Sequence, residues 1–301
     1  MYLEHFGLKE FPFSITPDTE FFFSSGVSQE ALNTLLIAAR TGEGFIKITG
    51  EVGTGKSMLC RKLMASLSSD FKVAYIPNPY LAPDALFMEL AAELEVVFDS
   101  QTIAKHQLLR AINERLLELH SAGKRVVVCL DEAQAMPIET LEALRLLSNL
   151  ETEKRKLLQV IIFGQPELEE KLNHPGIRQL KQRIAFEYCL APMGRNEIDY
   201  YIQHRLAVAG HRGHRMFTPP AMWLLKLRTR CVPRLVNIVA HKSLLSAYGR
   251  GSHSVTFWDV YAAVTDTASL RQSASKFRLF FLVWVLVCSA SLLLIEKGYI
   301  R

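Results

Sequence analysis

Eight consecutive residues, Gly50-Glu51-Val52-Gly53-Thr54-Gly55-Lys56-Ser57, constrain this chain more than any other feature. They follow a short apolar run, Gly44–Thr49, that reads as a buried strand, and they precede Met58–Leu67, whose apolar spacing is helical. The pattern GxxxxGK[ST] between a strand and a helix predicts a loop whose backbone N–H groups face a polyphosphate. Glycines let successive peptide units turn inward, and the helix N-terminus adds partial positive charge. Lys56 is expected to reach the β- and γ-phosphates and the Ser57 hydroxyl to take a place on Mg²⁺, with Met58 completing the turn. With glycine at about 7% of residues generally, a chance match in a chain of this length is on the order of a per cent.

Strands and helices alternate around this loop. Lys72–Ile76, Arg125–Leu130 and Leu157–Phe163 read as strands; Asp84–Leu94, His106–His120 and Thr140–Leu150 read as amphipathic helices. The β-branched run Arg125–Leu130 fits a parallel strand covered on both faces. Such alternation predicts an α/β fold, a P-loop parallel-sheet αβα core. After about Met193 the strands stop, and Arg195–Ala209, Pro219–Thr229, Val232–Tyr248 and Phe257–Ala268 read as a small all-helical lid. The expected organisation is an N-terminal segment 1–43, a nucleotide-binding domain 44–193, a lid 194–270, a linker 271–278, a transmembrane helix 279–295 and a tail 296–301.

Charge follows the same division. Met1–Glu170 holds 16 Lys+Arg against 24 Asp+Glu, whereas Lys171–Ser275 holds 15 against 5. A basic module suits nucleic acid, anionic lipid, or the phosphates and acidic face of a neighbouring subunit. Cys60, Cys129, Cys189, Cys231 and Cys288 show no CxxC spacing and read as small core residues of a reducing compartment. The first thirty residues do not resemble a signal peptide. Leu279–Ile295 is free of charge and apolar on every face, and basic residues stand on both sides. It reads as a short membrane span, with the nucleotide-binding domain in the cytoplasm and residues 296–301 in the periplasm.

Val126–Glu132 supplies the second half of the site. Carboxylates that end a buried strand emerge at the sheet edge where ligands bind. Asp131 is placed to hold Mg²⁺, and Glu132 to orient or deprotonate an attacking water. Gln165, after the strand Leu157–Phe163, can reach the γ-phosphate or that water. No NKxD guanine-reading sequence occurs, which favours ATP. His211-Arg212-Gly213-His214 lacks a third metal ligand and reads as a solvated loop.

These pieces together resemble the AAA+ superfamily and, within it, the ExeA or general secretion pathway protein A type. The resemblance covers nearly the whole chain: Phe6-Gly7-Leu8, Pro12-Phe13, Pro17-Asp18, Thr49–Ser57, Asp131-Glu132-Ala133-Gln134, Leu150–Glu153, Gly164-Gln165-Pro166-Glu167-Leu168, Arg178–Ile184, Tyr201–Leu206 and Pro233–Asn237. It looks nearest to the MSHA-type pilus biogenesis members. The resemblance implies a membrane-associated ATPase of secretion or type IV pilus assembly. Such a protein would form a ring-shaped homo-oligomer, possibly a hexamer, bind inner-membrane assembly proteins, and have no call for nucleic acid. It implies that Gln165 is the sensor-1 residue, Arg183 or Arg178 an arginine finger reaching a neighbour's γ-phosphate, and Arg234 the sensor-2 arginine of the lid. Guanidinium planes bind phosphate bidentately, which suits all three arginines. Ser28 and Cys231 depart from the family's histidine and glycine, and the second puts the start of the following helix in doubt. No wall-binding domain is expected beyond the apolar run. Two other readings share this core: a DNA-binding ATPase of the transposition-accessory type, and a nucleotide-dependent scaffold with little turnover.

Overall fold

Five runs rich in β-branched and aromatic residues assemble into one parallel sheet. The computed structural model describes residues 2–97, 105–147, 150–151 and 156–270. In chain order the elements are α1 (Tyr2–His5), α2 (Gly26–Thr41), β1 (Phe45–Thr49), α3 (Lys56–Ser66), β2 (Phe71–Ile76), α4 (Pro83–Glu93), α5 (Lys105–Ser121), β3 (Arg125–Leu130) and α6 (Ile138–Leu147). There follow β4 (Leu158–Gly164), α7 (Glu167–Leu172), α8 (Arg178–Lys181), β5 (Ile184–Cys189), α9 (Glu197–Val208), α10 (Pro219–Thr229), α11 (Pro233–Gly249) and α12 (Phe257–Asp266). The sheet order is β2-β3-β4-β1-β5, every pairing parallel.

Burial explains which strands are legible. β1 and β4 are buried throughout and read as unbroken apolar runs. Their alternate side chains feed two layers. Phe45, Val128, Val160 and Ile162 pack with α4, α5 and α6, while Ile46, Ile48, Val127, Ile161 and Phe163 pack with α2 and α3. β5 lies at the sheet edge and alternates half-buried with exposed residues, so its pattern is weak; the sequence reading assigned no strand there. Lys47 in central β1 is the exception to an apolar strand. It is buried, and its ammonium pairs with Glu169 and, at 3.1 Å, with Glu187. Without those partners so buried a charge would be strongly destabilising.

Thr16–Glu197 forms one compact unit; Met1–Ile15 and the chain from Ile198 form the other. The N-terminal segment is therefore divided: its first fifteen residues group with the C-terminal helices, whereas α2 belongs to the sheet unit. Within the helical unit, buried Arg205 donates from Nε to the Pro12 carbonyl and fastens the N-terminal stretch to α9. Arg230 and Cys231, the second the position at which the resemblance leads one to expect glycine, adopt left-handed backbone (φ 49° and 60°), and α11 still begins at Pro233. Ser28 helps to cap α2, its hydroxyl 2.6 Å from that of Ser25. Cys60, Cys129 and Cys231 are buried, but Cys189 on edge strand β5 is exposed, so it is not the core residue expected. His211 bonds the carbonyls of Phe6 and His214, and no metal-holding cluster occurs among the described residues. Among those residues no helix is long and apolar enough to cross a membrane; Leu279–Ile295 lies outside them.

Candidate nucleotide site

Gly50–Ser57 runs from the C-terminal end of β1 into the first turn of α3. The structure shows why glycine stands at three of these positions. A Cβ on Gly50 would lie 2.7 Å from the Leu190 carbonyl oxygen and 2.9 Å from Thr54 Oγ1, too close for either. Gly53 and Gly55 take φ of 83° and 105°, conformations that side-chain-bearing residues resist. The first helical bond of α3 joins Leu59 N–H to the Gly55 carbonyl at 2.8 Å. The N–H groups of Lys56, Ser57 and Met58 thus have no acceptor in their own helix and can face an anion. Val52 is half exposed and Glu51 exposed on the outer rim.

Lys56 is 5% exposed, and its Nζ donates to the carbonyls of Gly50 (2.7 Å) and Glu51 (3.0 Å). Burial draws its pKa below the ordinary lysine value, against the pull of the Glu132, Asp131, Glu51 and Glu167 carboxylates. A phosphate beside this ammonium would add to these carboxylates and offset the cost of its burial. Asp131 is 3% exposed, and burial raises its carboxyl above the usual range, opposed by bonds from the Ser57 hydroxyl and the Glu132 N–H. Two oxygen donors suited to Mg²⁺ therefore meet at the mouth of the loop, which is the donor chemistry that cation requires.

Glu132 takes left-handed backbone (φ 53°, ψ 37°), a conformation costly for a residue with a Cβ. Local bonds hold it. Its N–H donates to Asp131 Oδ1 at 2.9 Å, and its Oε2 accepts from Gln134 Nε2 at 2.5 Å and Gln165 Nε2 at 3.1 Å. Gln134 Oε1 in turn accepts the Gln165 backbone N–H at 2.9 Å, closing a ring of three residues. Beside it, a Cβ on Gly164 would collide with Leu168 Cδ2 at 2.7 Å, while lying at ordinary contact distance, 3.5 Å, from Gln134 Oε1. Glu132 and Gln165 are thus brought together by a direct bond between their side chains. Gln134 belongs to the site as well, and its signal in the sequence is a polar residue two places after the carboxylate pair.

Arg183 directly precedes β5, and Ile184 pairs with Phe45 at the start of β1. It therefore stands at the sheet edge opposite the phosphate loop, roughly 16 Å away along five residues of strand. Arg178 opens α8 and lines a separate cleft of ≈ 320 Å³ with Glu142 and Arg145. Neither arginine joins the loop of its own chain. Arg234 is exposed in the first turn of α11, in the helical unit.

A parallel sheet of this order, with a phosphate loop after β1 and an Asp-Glu pair after β3, defines a P-loop nucleotide-binding protein of the AAA+ class. A family model described as "AAA domain" matches residues 39–172. The fold is similar to that of Cdc6p from Pyrobaculum aerophilum, with a TM-score of 0.66 at 19% identity, covering 83% of this chain and 71% of that one. It is similar also to the Aeropyrum pernix ORC2 protein, with a TM-score of 0.61 at 17% identity, covering 80% of this chain and 67% of that one. The RuvB Holliday junction branch migration motor of Thermotoga maritima follows, with a TM-score of 0.53 at 16% identity, covering 85% of this chain and 72% of that one. In sequence, 99% of the chain is 38% identical to General secretion pathway protein A of Aeromonas hydrophila, of whose length it spans 53%. Over residues 39–172 the chain matches the AAA domain family, and along nearly its whole length it is similar to a general secretion pathway protein A.

Proposed function

We propose that this chain is a membrane-anchored ATPase that works as a ring-shaped homo-oligomer in assembling a type IV pilus of MSHA-like kind or a type II secretion machine. The observation that carries the enzymatic part is the closed ring Glu132–Gln134–Gln165 beside the Asp131–Ser57 pair. A scaffold that only held nucleotide would need the loop but not an oriented carboxylate.

Within this reading, Lys56 and the loop N–H groups bind the phosphates, and Asp131 and Ser57 hold Mg²⁺. When bound, Mg²⁺ neutralises charge on the phosphate oxygens. Glu132 Oε2 takes a proton from the attacking water as the new oxygen–phosphorus bond forms and the bond from the γ-phosphorus to the β–γ bridging oxygen breaks, the electron pair leaving with ADP. Gln134 keeps that carboxylate in place when the Gln165 amide turns toward the γ-phosphate. The place of Arg183 opposite its own loop supports action in trans, with a neighbour's site completed by this chain's guanidinium. Arg178 is the alternative finger, and Arg234 the lid's phosphate contact.

Mixing tests the neighbour. Lys56→Ala loses tight ATP binding, and Arg183→Ala leaves the partner's site without its finger. A mixture of the two should recover hydrolysis that neither variant shows alone; no recovery at any ratio refutes the trans assignment. Anchoring is supported by the charge-free run Leu279–Ile295 and its flanking basic residues. Membrane fractionation should leave the protein in the pellet after carbonate washing, with ATP hydrolysis indifferent to DNA. Release by carbonate, together with stimulation by DNA, overturns this reading in favour of a DNA-binding ATPase.

A further inference from the structure

At the sheet edge opposite the phosphate loop, a cleft of ≈ 660 Å³ opens between the C-terminal ends of α2 and α5 and the entries to β3 and β4. Arg40, Lys124, Arg125 and Lys156 line it, together with Gln159, and no carboxylate does. The unit that holds it, Thr16–Glu197, carries 20 Lys+Arg against 24 Asp+Glu, so this is a local concentration of cations in an acidic module.

Cations at helix C-termini are ordinary, since each helix end carries about half a negative charge. Two such ends amount to about one charge, against four cationic side chains in the lining. Outside the lining, Glu151 pairs with Lys156 at 2.8 Å, and Asp70 acts on Arg125 and Arg40 from a distance. Arg125 is fixed by donating to the Arg40 carbonyl at 2.6 Å and by lying over the Phe71 ring. Arg40 and Lys124 form no ion pair among the described residues. Gly44 lets the Lys156 stem lie against the strand, because a Cβ there would come within 2.9 Å of Lys156 Cδ.

The second observation is an orphan acceptor. Gln159 lines the cleft at 4% exposure; its Nε2 donates to the Ala38 carbonyl at 3.4 Å, and its Oε1 has no partner. Turning the amide over would set two carbonyl oxygens against each other, so the unpaired atom is an acceptor. A buried acceptor without a donor is destabilising, and a hydroxyl or amine satisfies it where an anion alone does not.

We propose that this cleft is a second ligand site, distinct from the nucleotide loop, for a small phosphate ester that bears a free hydroxyl. The phosphate lies among Arg40, Lys124 and Lys156, and the hydroxyl donates to Gln159 Oε1. The same chemistry is offered by a free glycerol phosphate and by the headgroup of phosphatidylglycerol.

The test is calorimetric titration of the full-length chain carrying Lys56→Ala, which removes the nucleotide loop from consideration. One arm uses glycerol 3-phosphate, the other a short-chain phosphatidylglycerol below its micelle concentration. Saturable binding of either at one site per chain is expected, and the arm that binds more tightly identifies the source. Arg40→Ala with Lys124→Ala should weaken it at least tenfold, and Gln159→Met several-fold. Equal affinity for inorganic phosphate would remove the hydroxyl from the proposal and overturn it. So would binding in neither arm, or binding unmoved by the exposed Arg40 and Lys124 changes, which leave the core intact.

Discussion

Among the described residues, Glu95, Glu132 and the pair Arg230-Cys231 hold left-handed backbone without being glycine, and the last two of these places do so for different reasons. In the sheet unit, Glu132 (φ 53°) is pinned by Asp131, Gln134 and Gln165, whose bonds aim its carboxylate beside the phosphate loop. In the helical unit, Arg230 and Cys231 (φ 49° and 60°) only reverse the chain between α10 and α11. The Cys231 N–H finds the Thr229 hydroxyl at 3.3 Å, and the exposed Arg230 side chain has no hydrogen bond or ion pair among the described residues. Backbone strain at Glu132 is held by side chains that have chemistry to perform; at Arg230 and Cys231 it serves only to turn the chain between two helices.

Breaking the first place should have the largest effect. Glu132→Gln keeps the shape and removes the base, so ATP affinity and unfolding temperature should stay near wild type while turnover falls by roughly 10²–10⁴-fold. Turnover near wild type means that Glu132 is strained for some other reason. Gln134→Ala comes next. It removes a hydrogen bond to a charged group, of about 1.5–3 kcal/mol, so turnover should fall at least about tenfold with ATP affinity unchanged. Combined with Glu132→Gln it should cost nothing more, since Gln134 acts through that carboxylate; multiplicative losses would make it a merely structural residue.

Relaxing the second place should move stability alone. Arg230→Gly removes a left-handed penalty of about 1–2 kcal/mol but admits a more flexible unfolded chain, for a net gain of about 0.5–1 kcal/mol in denaturant melts. Its hydrolysis rate should match wild type, and a clear loss would show that this turn, too, serves the reaction. Cys231→Gly should change stability least, because relief of strain is offset by loss of a buried side chain.

Much of this was readable because its causes are local. A phosphate loop must follow a strand and open a helix, and α3 begins two residues before the apolar periodicity does because Lys56 and Ser57 form its first turn. The runs ending at Thr49, Leu130 and Phe163 are buried on both faces and carry an unmistakable composition. Edge strand β5 escaped because one side faces solvent and its residues alternate. The exposed thiol of Cys189 follows from the same edge position.

The sequence by itself determined the class of fold, the phosphate loop and the carboxylate pair, because each depends on residues adjacent in the chain. Only the tertiary structure decided what distant segments share. It grouped residues 1–15 with the C-terminal helices through contacts such as Arg205 with the Pro12 carbonyl. It joined Gln134 to Gln165 across two loops, and it set Arg183 at the far edge from its own site. It also left Gln159 without a donor in a cleft of cations. Hydrogen-bond closure and strand register depend on which segments pack together, and no local pattern of residues encodes that choice.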